Sequence, residues 1–215
     1  KNMNSIYDTI KTAIDEASVF SEIQPTLPDQ GDVVLRPGEV WVPGAYEATI
    51  LRSDFRIKQH PWTNLRTARI IKKAAGHPTG DNIKKAEASI VHYSAISITD
   101  PVLSFLVALK ADKNKLRKIA LSMATKSEKR EPVKFAIALL GFCGQEEDAD
   151  VIQVLASHEE FTFYGAIALK NILPEEEAQQ RLLSLASQLK GWGKISILYQ
   201  LHKTKPEIRR WGLSY

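Results

Sequence analysis

The sequence predicts an all-α fold: an α-α superhelix, a solenoid of antiparallel helical hairpins, preceded by an irregular Pro/Gly-rich segment. Three observations carry this. Val107-Ala108-Leu109, Ile137-Ala138-Leu139, Ile167-Ala168-Leu169 and Ser196-Ile197-Leu198 repeat one apolar phrase at offsets of 30, 30 and 29 residues, and a period near thirty with a helix-sized apolar run in each copy marks a stacked helical array. Elsewhere apolar residues recur at three- and four-residue intervals. Prolines stand where helices would start, at Pro101, Pro132, Pro174 and Pro206, positions at which a missing N–H costs nothing.

Residues 5–20 open on Ser5 and Asp8 at capping-box spacing, followed by Ile6, Ile10, Ile14, Ala17 and Phe20 on one helical face. Pro25, Pro28, Gly31, Pro37, Gly38 and Pro43 exclude a continuous helix from 24 to 43. Short extended pieces are expected there at 33–35 and 40–42. A short helix fits 44–54. Leu65, Ala68, Ile71, Ala74 and Ala75 predict a helix over 62–75, and Asp81 caps the next, over 82–95. From residue 99 the helices are expected at 101–110, 113–126, 132–142, 147–157, 161–171, 175–189, 192–202 and 206–213, and each odd member is expected to pair with the one after it. Ala108, Ala138 and Ala168 form the stripe that lets neighbours approach closely. The organisation expected is an N-terminal helical region at 1–98 packed on an array at 99–215.

Residues 132–141, Pro-Val-Lys-Phe-Ala-Ile-Ala-Leu-Leu-Gly, resemble the first helix of a HEAT-like (armadillo-type) repeat, and 101–110, 161–172 and 192–202 are looser copies. The likeness covers about half the chain and is specific for architecture alone. The family's usual Asp-Pro opening stands only at Asp100-Pro101, and Lys134 stands where an arginine is common. The layout also resembles that of a bacterial protein family, a likeness that implies no activity.

No apolar run approaches the eighteen or so residues of a membrane span, so no membrane association is expected. No basic-then-apolar leader stands at the N-terminus, which begins at Lys1. The single cysteine excludes an intramolecular disulfide, and Cys143, beside Leu139, Leu140 and Phe142, reads as a buried thiol. A reducing, cytoplasmic location fits these features. The net charge of +4 hides blocks: nine basic residues against two acids in 52–85, nine against three in 110–134, then nine acids against three bases in 143–190. Such blocks suit a partner of matching pattern.

His158-Glu159-Glu160 reads as helix capping, since a metalloprotease helix needs His-Glu-x-x-His. Gly191-Trp192-Gly193-Lys194 lacks the spacing of a phosphate loop and reads as a tight inter-helix turn. No catalytic residue, metal ligand or cofactor site is assigned. The function expected is a non-catalytic binding scaffold for a protein or peptide partner. The residues assigned to its interaction surface are Lys113, Arg117, Lys118, Lys126, Arg130, Arg209, Arg210 and Trp211, the first of them on a helix that lines the inner face in HEAT-like arrays. The alternative is nucleic-acid binding through the basic segments, in a protein related in architecture to the HEAT-like alkylpurine DNA glycosylases. On either reading Arg117→Glu with Lys118→Glu should remove partner binding at an unchanged melting temperature. The apolar C-terminal end is compatible with a homo-oligomer.

Overall fold

The computed structural model of the chain describes residues 4–16, 24–29, 42–50 and 59–201. Among them the fold is all-α. Its helices are α1 (Ile6–Glu16), α2 (Ala45–Ile50), α3 (Pro61–Gly76), α4 (Gly80–Ala88), α5 (Ala95–Ala108), α6 (Lys113–Lys126), α7 (Arg130–Cys143), α8 (Ala149–Ala156), α9 (Glu159–Ile172), α10 (Glu175–Gln188) and α11 (Gly191–Gln200), with a 3-10 turn at Glu146–Asp148 before α8. The expected helix at 206–213 and the extended pieces at 33–35 and 40–41 lie outside the described residues.

The helix starts follow local capping chemistry. Ser5 Oγ accepts the Asp8 amide at 3.1 Å, Thr79 accepts that of Asn82 at 3.3 Å, and Asp112 accepts that of Lys115 at 2.9 Å, each satisfying an otherwise orphaned donor. α5 departs from expectation. It begins at Ala95, and Pro101 lies inside it instead of at its first turn. The reason is a cap brought from another helix: Glu131 of α7 accepts the Ala95 N–H at 2.6 Å.

That earlier start also moves the buried stripe of α5 to Ile98, Val102 and Leu106, each at most 1% exposed. Val107 is 57% exposed, and Ala108 ends the helix on the surface. Val107 and Ala108 of the first copy therefore face solvent, with only Leu109 packed against the core, and the small-residue stripe comprises Ala138, Gly141 and Ala168 without Ala108.

The pairing of helices is shifted by one from the expected scheme. The tight hairpins are α6–α7, α8–α9 and α10–α11, while α5 packs chiefly on α3 and α7. α5, α7, α9 and α11 lie side by side in chain order, and α1 packs against both α6 and α8. The connections inside these hairpins are only two or three residues (127–129, 157–158, 189–190). The core between them is built from Leu116, Ile119 and Met123 of α6 with Phe135 and Ile137 of α7 and Phe161 of α9, all fully buried.

Gly165 sets the closest approach in α8–α9, because a Cβ there would collide with Ala156 Cβ. Gly165→Ala should lower stability by about 1–3 kcal/mol by prying the pair apart. Urea denaturation measures this directly; a neutral or stabilising alanine would show that the contact relaxes freely.

Candidate functional site

The N-terminal ends of α7 and α9, with α2 and residues 24–29 lying over them, enclose a cluster of charged side chains around Lys134. This lysine is 2% exposed. Its ammonium lies 2.6 Å from Glu160 Oε1, 2.7 Å from Glu47 Oε1 and 3.1 Å from Glu131 Oε1, so its three protons are matched by three carboxylates. Burial opposes its charge, but Glu47, Glu131 and Glu160 outweigh burial and raise its pKa. One ammonium cannot neutralise three carboxylates equally. Burial pushes Glu160 up, yet Lys134 and the Arg130 guanidinium at 3.7 Å bring it below the usual range. Glu47, in α2, is drawn down by Lys134 alone; burial dominates, and its pKa is raised.

Arg130 continues the cluster into the N-terminal segment. Its Nε is 3.2 Å from Asp29 Oδ1, and its backbone N–H donates to Asp29 Oδ2 at 2.7 Å. Gln24 receives the Glu159 amide at 3.0 Å and donates to Ser157 O at 3.2 Å. Gly44 completes the seat: its φ is +76°, and a Cβ would approach Glu159 O to 2.7 Å. The charged groups thus fasten two irregular pieces of chain to the helical body.

His158 caps α9. Nδ1 accepts the Glu160 amide at 3.2 Å, and Nε2 lies 3.2 Å from Pro25 O. The first contact needs a lone pair and the second a proton, so the ring is the neutral Nε2–H tautomer. Burial lowers its pKa from 6.5 to about 4. Between those values the unfolded chain binds the proton that the folded chain refuses, so stability is lost as pH is lowered through that window. His158→Asn keeps a capping acceptor without the titration. It should reduce the loss of stability between pH 7 and pH 4.5 by about 2–3 kcal/mol. Parallel urea curves at the two pH values test it, and an unchanged acid limb would place the titration elsewhere.

The residues assigned to the interaction surface do not act alike. Lys113 is exposed, with Nζ 4.5 Å above the Phe142 ring, a cation–π contact. Lys118 and Lys126 are exposed on α6. Arg117 is held in the structure: Nε and Nη2 donate to the two oxygens of Asp148 at 2.6 and 2.7 Å, and Nη2 also to Glu147 at 3.0 Å. The expectation that Arg117→Glu leaves the melting temperature unchanged is therefore corrected, because Asp148 is 2% exposed and would lose its counter-ion. Arg130 sits in the buried cluster. Arg209, Arg210 and Trp211 lie outside the described residues.

Part of the blockwise charge pairs within the chain. Arg117 meets Asp148 and Arg181 meets Asp150 at 2.7 Å, each 31 residues apart and of opposite order. Cys143 is buried, its thiol donating to Leu139 O at 3.0 Å, and burial pushes its pKa up to about 12. Glu159, raised by burial, accepts the amides of Trp192 and Gly193 at the start of α11, where Gly191 has φ +67°. Among the described residues no group of three or more His, Cys, Asp or Glu is placed to hold a metal.

A different surface offers room for a partner. A groove of about 380 Å³ runs across α5, α7 and α9. Ile96, Thr99, Asp100 and Leu103 line it from α5, and Phe163, Tyr164, Ile167, Ala168 and Asn171 from α9, both sets at helical spacing on one face. Ala138 and Gly141 of α7 form a recessed floor, with Phe142 beside them. A Cβ at Gly141 would meet Ala168 Cα at 3.0 Å, so the glycine both draws α9 against α7 and deepens the trench. Sequence reasoning found Ala138 and Ala168 as packing residues but missed Leu103, Phe142, Phe163 and Ile167 as walls. No family model, curated protein or solved structure matches the chain.

Proposed function

We propose that the protein is a non-catalytic binding scaffold, a HEAT-like (armadillo-type) α-α superhelix that takes an apolar peptide segment of a partner protein in the groove over α7. One observation carries this reading: the small floor of Ala138 and Gly141 between the apolar walls of Leu103, Phe142, Phe163 and Ile167. Grooves lined in this way accept the anchors of an amphipathic segment, while exposed polar residues at the rim, here Asp100 and Asn171, fix orientation. The ionisable groups of the buried cluster support the same view, because Lys134 and His158 spend their hydrogen-bonding capacity on holding the chain together.

Selection of a displayed peptide library on the immobilised protein tests it. Sequences with two or more apolar anchors at helical spacing should be enriched, and Leu103→Asp with Ile167→Asp should abolish their binding while the circular dichroism spectrum stays helical. Enriched peptides that bind this double variant as well as the wild type would refute the groove as the site.

A further inference from the structure

A second cavity has a different chemistry. α3 and α4 pack as neighbours, and between them opens a cleft of about 490 Å³. Along α3 it is lined by Thr63, Arg66, Thr67, Ile70 and Lys73; along α4 and the turn after it by Asn82, Lys85, Ala88, Ser89, His92 and Tyr93. The α3 residues follow one another at intervals of three, one, three and three, and the α4 residues at three, three and one, so each helix turns a single stripe towards the other. Thr67 Oγ1 donates to Ser89 O at 3.4 Å across the pair, joining the two stripes.

Three cations therefore border one open cleft, and among the described residues no acid lines it. Their disposition differs from that of the basic groups tied into the helical body. Arg117, Arg130, Lys134 and Arg181 are all ion-paired, and Lys72 donates to Leu109 O at 2.6 Å. Among the described residues Arg66, Lys73 and Lys85 have no carboxylate within ion-pair distance. Three like charges bordering one cleft favour an incoming anion over a cation. The hydroxyls of Thr63 and Ser89, the Asn82 amide and the His92 ring add hydrogen-bonding groups, and Tyr93 supplies an aromatic wall. The volume is that of a site for a small organic ligand.

We infer that this cleft binds the phosphate groups of a nucleotide-sized ligand: Arg66 offers a fork to two phosphate oxygens, and Lys73 and Lys85 act as point charges. A free nucleotide and one unit of a nucleic-acid strand present the same chemistry, so the probes must separate them.

The test titrates the intact protein at low ionic strength with ATP, with inorganic pyrophosphate and with a fluorescein-labelled oligothymidine. Each is repeated on Arg66→Glu with Lys85→Glu, and on Lys115→Glu with Lys190→Glu, which makes the same charge change at exposed lysines outside the cleft. The cleft pair should weaken binding about tenfold or more, and the control pair should change it by less than about twofold. Saturable binding of ATP or pyrophosphate identifies a free ligand; binding of the oligonucleotide alone identifies a strand; either supports the cleft if the variants separate. No binding of any probe, or an equal loss in both pairs, overturns the inference. It stands apart from the apolar groove, since peptide binding by the Arg66→Glu, Lys85→Glu variant is expected to be unchanged.

Discussion

Lys134→Met should lower stability by about 3–5 kcal/mol, the largest effect expected of any single change. The methionine is close in size, so the loss is electrostatic: Glu47 and Glu160, at most 5% exposed, keep their burial and lose their common cation. Their pKa values would rise and both would take protons near neutrality. The damage should be greatest where the cluster holds the irregular chain, at α2 and residues 24–29, so proteolytic cleavage in the N-terminal quarter should precede global unfolding. Lys134→Met combined with Glu47→Gln and Glu160→Gln should recover part of the loss, since it buries amides in place of unpaired charges. A fall of under about 1 kcal/mol for Lys134→Met would mean that water reaches the cluster and screens it.

Arg117→Glu should cost about 3 kcal/mol, and its neighbour Lys118→Glu about 0.5 kcal/mol or less. The first change removes a two-pronged guanidinium from Asp148 and sets a third acid beside Glu147 and Asp148; the second alters an exposed side chain. Asp148 also accepts the Gln145 amide at 2.9 Å, so the short turn before α8 should loosen together with the contact. Thermal unfolding of the two single variants measures the contrast. Equal, small shifts would show that Arg117 contributes no more than a surface charge.

The helices were legible in the sequence because their information is local. Prolines, N-capping residues and apolar periodicity placed α3 and α6–α11 within about two residues at their starts. The start of α5 was not legible, because its cap, Glu131, lies 36 residues further along. The same limit hid the cluster: Glu47 and Lys134 are 87 residues apart, and nothing in either neighbourhood announces the other. His158-Glu159-Glu160 was correctly read as a capping sequence, yet Glu160 also faces Lys134, a role that depends on how α9 lies against α7. The charge blocks were plain in composition, but reading them as a surface for a partner overlooked Arg117–Asp148 and Lys134–Glu160, in which one block answers another within the chain. The groove was half visible. Ala138 and Ala168 were recognised as small residues at an interface, but their meaning as a floor required the knowledge that α5 and α9 rise on either side of α7.

The affinity of a groove-selected peptide for the Ala138→Trp variant tests the central claim most directly. Ala138 lies partly exposed on the groove floor, so an indole there fills the trench without changing charge. The expected result is a loss of about a hundredfold or more in affinity, measured by fluorescence anisotropy at an unchanged helical content. An affinity equal to that of the wild type would contradict the claim and remove the groove over α7 as the binding site.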